Sequence, residues 1–366
     1  MKEQNYKTVM YELWRNSPVS RTELAQKTKL NKATISSIVS LLEERGIAVE
    51  SGSISIGVGR SRNLLCFNKD YGITGAIVFR PKRMMVALGD MFANVLWQDT
   101  ISVDASDSHF VMMGAVADKL EEGLKALGTD TSTLLGIGVG TASLIRPDNH
   151  LLYAIHSMNW NDVPLIQYLE ERFKVPIIAD TVSNNSILAE KHLGLAKDVE
   201  NAIYLSVGYG IGGGILVNGK LFSGSSGFAG DVGHFVIDPT GPVCSCGKRG
   251  CWEVMASSIF SGMPFDEMAE AAEAGDAKAI SWLATIGHNL GLGIANLIIT
   301  LNPELVIIGG HAVNAKKWLE QPVKNTVKDL IWPIVWERTR IVFAEDNNST
   351  IMIKGALTRA IENVLY

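Results

Sequence analysis

Residues 230–253 read GDVGHFVIDPTGPVCSCGKRGCWE, and this stretch decides how the whole chain is interpreted. It places His234, Cys244, Cys246 and Cys251 in the spacing H-x9-C-x-C-x4-C. One imidazole and three thiolates form a complete tetrahedral ligand set for Zn²⁺ and leave no position for a catalytic water. The spacing therefore predicts a structural zinc ion. The alternative is a group of buried, reduced cysteines.

The same residues carry a family signature. The pattern G-D-V-G-H, followed by D-P-x-G-P-x-C-x-C-G-x-x-G-C-x-E, resembles the zinc-and-sugar motif of the repressor/ORF/kinase (ROK) family. Within that family the chain is most similar to the xylose-repressor branch, over nearly all of its 366 residues. The resemblance implies an α/β fold with an N-terminal winged helix-turn-helix, which the plain kinases lack. A two-lobed, actin-like and sugar-kinase-like body would follow it.

Length and composition agree with this organisation. The 366 residues suffice for two or three domains, and 47% hydrophobic with 19% charged residues is typical of a soluble globular protein. We expect a DNA-binding domain at 1–69, lobe I at 70–195 completed by a helix at 348–366, and lobe II with the zinc loop at 196–347. The N-terminus lacks the apolar core of a secretory signal, and polar residues interrupt the apolar stretch 290–310. We therefore expect a cytoplasmic protein with no membrane partner.

The first 70 residues are basic, whereas the rest of the chain is acidic. They contain 11 Lys and Arg against 7 Asp and Glu, and the remainder contains 22 against 31. This charge separation suits a head that faces nucleic acid. Ser20 and Glu23 form a capping box, and Asn31 is a favourable N-cap. These signals predict helices at 5–15, 20–28 and 31–45, followed by a wing at 47–67.

The third predicted helix has the character of a recognition helix. Its apolar side chains recur at helical spacing and should face the core: Ile35, Ile38, Val39 and Leu42. The opposite face carries small or cationic residues suited to a major groove, and the wing adds two arginines. The predicted DNA contacts are Lys32, Thr34, Ser36, Ser37, Arg60 and Arg62. The alternative is a helical dimerisation module with a solvated basic hairpin.

After Tyr71 the sequence alternates between strand and helix patterns. Strands are predicted at 73–78, 84–88, 135–139, 177–179, 202–207, 213–217 and 305–308. Helices are predicted at 110–127, 164–173, 184–193, 277–301 and 348–366. This order suits the duplicated α/β architecture that the ROK, sugar kinase and actin groups share. A ligand would then lie in the cleft between the lobes.

The resemblance also shows where this chain departs from a kinase. The family's phosphate turn, Asp-x-Gly-Gly-Thr, aligns with Val78, and its glycines align with Arg80 and Pro81. The family's catalytic Asp aligns with Val182. Valine cannot accept a proton, and proline offers no amide to phosphate. The sequence therefore predicts no kinase activity.

A second glycine-rich run, SVGYGIGGG at 206–214, matches the other phosphate loop of the family. Tyr209 stands where the family has a small Thr, and its ring is expected to fill the triphosphate volume. The alternative is a tight turn between two strands. The loss of the first phosphate turn favours this alternative.

Sugar recognition is only partly retained. Asp231, His234 and Glu253 match the family's acceptors for sugar hydroxyls, and Asn159 matches an Asn-Trp pair of the xylose-repressor branch. His234 would bind zinc through one ring nitrogen and leave the other for the ligand. Changes that the resemblance identifies are Thr181, Ala142, Ser143 and Arg146. The alternative is a decayed pocket in which Asp231 and Glu253 serve folding alone.

Together these features predict a DNA-binding transcriptional repressor of carbohydrate-utilisation genes. Its partners would be double-stranded operator DNA and a sugar or sugar-derived effector, and its assembly a homodimer or a dimer of dimers. Two other functions stay open. One is a ROK sugar kinase with a DNA-binding extension, which the loss of the catalytic Asp at Val182 disfavours. The other is a dimeric DNA-binding protein without an effector.

Overall fold

The computed structural model describes residues 2–55, 61–80, 83–104, 108–142, 145–146, 151–155, 160–345 and 348–365. Three sequence predictions fall outside these ranges: the roles given to Arg60, Asn159 and Ser143. Pro81 of the phosphate turn also lies outside them. The side chains of Arg62 and Arg146 are likewise outside the described part of the chain.

The head is a small helical unit with a three-stranded sheet. Its elements are α1 (Lys2–Asn16), β1 (Val19–Ser20), α2 (Arg21–Thr28), α3 (Lys32–Glu44), β2 (Ala48–Ser55) and β3 (Ser61–Phe67). The sheet order is β1-β3-β2, with all pairs antiparallel. The predicted capping box begins α2: Ser20 N donates to Glu23 Oε2 at 2.8 Å, and Glu23 N donates to Ser20 Oγ at 3.3 Å.

Lobe I is built on a five-stranded sheet. Its elements are β4 (Ile73–Arg80), β5 (Arg83–Gly89), β6 (Val95–Ser102), α4 (His109–Ala126), β7 (Leu134–Thr141), β8 (Ile145–Arg146), β9 (Leu151–Ile155), β10 (Trp160–Val163), α5 (Leu165–Phe173), β11 (Ile177–Thr181) and α6 (Val182–Leu193). The sheet order is β11-β7-β4-β5-β6, and β10-β9-β8 form a separate small sheet. The short strands β8 to β10 and the strand β6 have no counterpart among the sequence predictions.

Lobe II repeats the same strand arrangement. Its elements are β12 (Ala202–Val207), β13 (Ile211–Val217), β14 (Lys220–Leu221), α7 (Trp252–Ala256), α8 (Ser258–Ser261), α9 (Phe265–Glu273), α10 (Ala277–Leu301), β15 (Leu305–Gly309), α11 (Lys316–Leu330), α12 (Pro333–Trp336) and β16 (Arg340–Phe343). The order β14-β13-β12-β15-β16 reproduces that of lobe I, with three antiparallel strands followed by two parallel ones. This repetition is the duplication that the strand and helix order predicts.

Two long helices pack against the sheets of the body. The last helix, α13 (Asn348–Leu365), returns to pack on β4 and β7 of lobe I. Helix α10 is long and apolar enough to cross a bilayer, yet 61% of its apolar window is buried inside the protein. We therefore interpret α10 as the core helix of lobe II.

The domain limits 1–69, 70–195 and 196–347 stay a prediction.

The head shares a hydrophobic core with lobe I. One buried cluster contains Leu13, Trp14 and Leu65 of the head together with Met91 and Leu357 of the body. The indole Nε1 of Trp14 donates to the carbonyl of Met91 at 2.6 Å. Because the stabilisation from apolar burial is proportional to the area removed from water, this contact holds the head against the body. The head is therefore packed on lobe I and is not merely tethered to it.

Candidate metal centre, cleft and DNA-binding surface

The four predicted metal ligands come together at one point. The ligand atoms of His234, Cys244, Cys246 and Cys251 all lie within 4.8 Å of one another. Cys244 Sγ is 3.6 Å from His234 Nδ1, and Cys246 Sγ is 3.6 Å from Cys251 Sγ. A tetrahedron with metal–sulfur bonds of about 2.3 Å and metal–nitrogen bonds of about 2.0–2.1 Å has edges of roughly 3.6–3.8 Å. The donor set therefore fits a tetrahedral zinc ion.

The thiols of Cys246 and Cys251 differ in acidity. The backbone amide of Lys248 lowers the pKa of the Cys246 thiol to about 7. Burial and the neighbouring thiols raise the pKa of Cys251 to about 12. Three adjacent thiolates repel one another unless a cation lies between them, because like charges disfavour ionisation. A divalent cation would remove this conflict.

The loop between the ligands is anchored to lobe II. Trp252 N donates to Phe235 O at 2.9 Å, and the two rings stack with centroids 5.1 Å apart. The indole of Trp252 donates to Asn289 O of α10 at 2.9 Å. These contacts bring the two ends of the 230–253 stretch together. Asp231 and Glu253, which are 22 positions apart in sequence, thereby lie close enough for the charge of Asp231 to act on Glu253.

Glu253 is half-buried in the first turn of α7. Its Oε2 accepts a hydrogen bond from Ile211 N at 3.3 Å. Burial raises the pKa of Glu253, the charge of His234 lowers it, and that of Asp231 raises it further. These influences place the three predicted sugar acceptors within electrostatic reach of one another. His234 turns Nδ1 toward Cys244, which leaves its Nε2 available to a ligand.

The glycine-rich run at 206–214 is explained by packing. Gly208 N donates to Gly210 O at 2.9 Å in the turn between β12 and β13. A Cβ at Gly210 would collide with Glu253 Oε2, and one at Gly214 would collide with the carbonyl of Ser183. These close approaches favour the tight-turn interpretation of the run. The side chain of Tyr209 is 75% exposed in this turn, and the role given to its ring stays a prediction.

Apolar side chains occupy both positions where a family kinase has carboxylates. Val78 is fully buried, and Val182 is 8% exposed. Both belong to the core cluster shared by the head and lobe I, and their Cγ2 atoms flank Gly140. Neither valine can hold a metal-bound phosphate or accept a proton from a sugar hydroxyl.

Arg80 reaches from lobe I to lobe II, a contact that the sequence did not predict. Its Nη2 is 2.6 Å from His311 Nε2, and its Nη1 is 3.4 Å from Met352 Sδ. Because arginine only donates, His311 must accept through a neutral ring. Burial and the charge of Arg80 lower the pKa of His311, which favours that neutral form. The sequence feature that could have drawn attention to His311 is the Gly-Gly-His run at the end of the buried strand β15.

Helix α3 is the element in which the sequence predicts DNA contacts. Asn31 Oδ1 caps it by accepting from Thr34 N at 2.8 Å. Lys32, Ser36 and Ser37 are exposed, whereas Thr34 is half-buried. Arg21 Nη2 bonds Glu43 Oε1 at 2.9 Å and fixes α2 against α3.

The opposite face of α3 points inward. Ile35, Val39 and Leu42 are fully buried, and Ile38 packs only partly against the same core. Helix α3 therefore separates an apolar inner face from an exposed hydroxyl and lysine face. The outer face is exposed to solvent at Lys32, Ser36 and Ser37.

These observations first define a class. The protein has a winged helical head, a duplicated two-lobed body and a Cys3His centre. This combination defines a sugar-kinase-like fold that carries an N-terminal domain of the DNA-binding type. The sequence matches the ROK family over residues 83–361. The chain belongs to the ROK family, as its signature predicted.

Two relatives and one solved structure illustrate the match. The chain is 30% identical to the xylose repressor of Bacillus spizizenii over 342 residues, which cover 91% of this chain and 88% of that protein. It is 32% identical to the glucokinase of Halalkalibacterium halodurans over 289 residues, 72% of this chain and 88% of that one. A crystal structure of a ROK family transcriptional regulator, a homologue of the E. coli MLC protein, superposes with a TM-score of 0.85 at 24% identity. It covers 100% of this chain and 96% of that one. The predicted fold class is confirmed.

Proposed function

We propose that this protein is a sugar-responsive, DNA-binding transcriptional repressor of carbohydrate-utilisation genes, acting in the cytoplasm. The observation that carries the proposal is the exposed outer face of α3, with Lys32, Ser36 and Ser37, on a head packed against a two-lobed body. A helix of this kind fits a major groove, and lysine binds phosphate or guanine there. Similarity to the xylose repressor of Bacillus spizizenii over 91% of the chain supports it.

The effector site we propose is the cleft that contains Asp231, His234 and Glu253, with Asn159 as a further contact. A second acceptor supports it: Asn184 Oδ1 is buried and has no hydrogen-bond partner among the described residues. A Cβ at Gly230, next to Asp231, would lie 3.8 Å from that oxygen. Buried acceptors are normally satisfied, so a ligand hydroxyl would complete the site. Sugars supply such hydroxyls.

We propose that His234, Cys244, Cys246 and Cys251 hold a structural Zn²⁺. With four protein ligands the ion has no open position, so it would stabilise the loop without performing chemistry. Zinc would also fix the tautomer of His234 and present its second nitrogen to the cleft.

We further propose that the protein has no sugar kinase activity. Val182→Asp restores a carboxylate at the position of the family's general base, yet at the positions of the family's phosphate turn Val78 stays buried and Arg80 stays bonded to His311. We therefore expect no phosphorylation of D-glucose, D-xylose or N-acetylglucosamine by the native protein or by this variant. The measurement is an ATP-dependent phosphorylation assay. Turnover by the native protein that disappears on chelation of zinc would refute the proposal in favour of the kinase alternative.

The wing prediction concerns the salt dependence of operator binding. Each phosphate that a protein neutralises contributes a slope of about −0.9 in log K against log salt. Replacing Arg60 and Arg62 with Ala should weaken binding and make the slope shallower by about 0.9 for each phosphate that the wing no longer neutralises. The measurement is a salt titration of operator affinity by fluorescence anisotropy. The matched control is Lys316→Ala with Lys317→Ala, two exposed lysines of lobe II. An unchanged slope in the wing variant would place the DNA-binding surface away from the wing.

We propose a homodimer, or a dimer of such dimers, as the binding form. Two recognition helices must then lie one helical turn of DNA apart, about 34–36 Å, or a multiple of it. The operator should therefore be a palindrome. Operator affinity measured with and without a panel of sugars separates this proposal from a DNA-binding protein that has no effector.

A further inference from the structure

Helix α6 connects the cleft to the head. It begins at Val182, capped by Thr181 Oγ1, which accepts from Asn184 N at 3.1 Å. Its 12 residues extend for about 18 Å and end at Leu193, and the ring of His192 near this end packs against Trp14 of α1. Its first turn contacts β13 of lobe II so closely that Gly214 has no room for a Cβ. It also packs on β12 of lobe II and on α13, β11 and β7 of lobe I. A movement between the lobes must therefore displace α6 relative to one of them.

A continuous series of polar side chains follows the same direction. Asp180 Oδ1 accepts from Asn184 Nδ2 at 2.7 Å, and Asp180 Oδ2 is 3.4 Å from Arg359 Nη2. Arg359 Nη1 is 3.5 Å from Glu362 Oε2. Glu362 Oε1 is 2.8 Å from His192 Nε2. We call Asp180, Arg359, Glu362 and His192 the polar chain.

The polar chain is shielded from solvent along its length. The side chains of Asp180, Arg359, Glu362 and His192 are 13%, 24%, 15% and 4% exposed. Charges in such surroundings are screened much less than surface charges. A displacement at one end therefore changes the energy of the next pair along the chain.

The far end of the polar chain contacts the head. The ring of His192 lies 4.9 Å from that of Trp14 and 6.3 Å from that of Tyr11, edge to face in both cases. Trp14 is also fixed by its hydrogen bond to Met91 O. His192 is thus enclosed between α1 of the head and Glu362 of α13.

We propose that α6 and the polar chain transmit the state of the cleft to the DNA-binding head. The inference rests on the proposed function, because it names the route by which an effector would change operator affinity. A movement of one lobe against the other shifts Asp180 and the first turn of α6. Because Arg359 is paired with Asp180 and Glu362 is paired with Arg359, they shift as well. His192 then changes its packing against Trp14. The head then occupies a different position on lobe I. A ligand shifts such an equilibrium only through contacts that differ between the two states.

The first test needs no effector. Asp180→Asn weakens the cleft end of the polar chain and keeps the size of the side chain. Hydrogen exchange of the full-length protein should then accelerate in α1, around Trp14, by about two- to thirtyfold, the range found for substitutions within coupled networks. The control is Glu121→Gln, which breaks the ion pair with Arg172 at 2.9 Å on the outer helices of lobe I. Faster exchange confined to the surroundings of Asp180, with α1 unchanged, would overturn the proposal.

The second test uses two variants, Glu362→Gln and His192→Gln. If one of them folds poorly, the other still tests the transmission route. Operator affinity is measured with and without D-xylose, D-glucose and N-acetylglucosamine, and sugar binding is measured by calorimetry. Sugar binding should persist while the change in operator affinity falls about two- to thirtyfold. A full response in both variants would refute the transmission route. If none of the sugars changes operator affinity in the native protein while Asp180→Asn still alters α1, the proposed function fails and the mechanical link stands.

Discussion

Replacing Cys251 with Ala should release zinc and destabilise lobe II. Structural zinc sites are worth about 10–16 kcal/mol in small zinc-finger peptides, because metal binding free energy is folding free energy. This loop is one part of a larger lobe, so we expect the loss of zinc to cost only about a third of that energy. A loss of about 4 kcal/mol would lower the Tm by roughly 8–16 °C. The variant also leaves Cys244 and Cys246 with an incomplete ligand set. Elemental analysis and thermal unfolding followed by circular dichroism measure the two effects.

Cys66→Ala is the matched control for the zinc prediction. Cys66 is a half-buried free cysteine in β3 of the head, outside the Cys3His cluster. Its replacement should leave the zinc content unchanged. Well under one zinc per chain in the purified native protein would count decisively against a structural zinc ion. The four residues would then be a buried reduced cluster.

Glu253→Ala should abolish the response to the effector and leave operator affinity intact. The charge-assisted hydrogen bond that it removes is worth about 1.5–3 kcal/mol, which weakens sugar binding about tenfold to more than a hundredfold. The substitution also takes the acceptor away from Ile211 N. Glu253→Gln keeps an acceptor there and removes only the charge, so it separates sugar recognition from local folding. The measurement is calorimetry across pentoses, hexoses and their phosphates, beside operator binding.

The control for this prediction is Glu337→Ala, which removes an exposed carboxylate of lobe II. It should change neither sugar binding nor the operator response. Thr181, Val182 and Ser143 differ from the family pattern, so we expect a pentose or a derivatised sugar as the ligand. If no compound binds the native protein, the alternative of an effector-independent DNA-binding protein replaces our proposal.

The sequence by itself determined the features that depend on neighbouring residues. The capping box at Ser20, the cap at Asn31 and the limits of the helix at 277–301 all appear in the structure as predicted. The spacing of one histidine and three cysteines identified the four side chains that converge. These signals succeed because helix caps, periodicity and short ligand loops are set by interactions within a few residues.

Only the tertiary structure decided how distant elements meet. Arg80 and His311 are 231 positions apart, and His192 and Glu362 are 170 apart, so no local pattern relates them. Their contacts depend on the order of strands in two sheets and on the return of α13 to lobe I. The exposed ring of Tyr209 shows the same limit, because its direction follows from the turn between β12 and β13. Long-range packing fixed these side chains, since the energy of each contact depends on which surfaces the fold brings together.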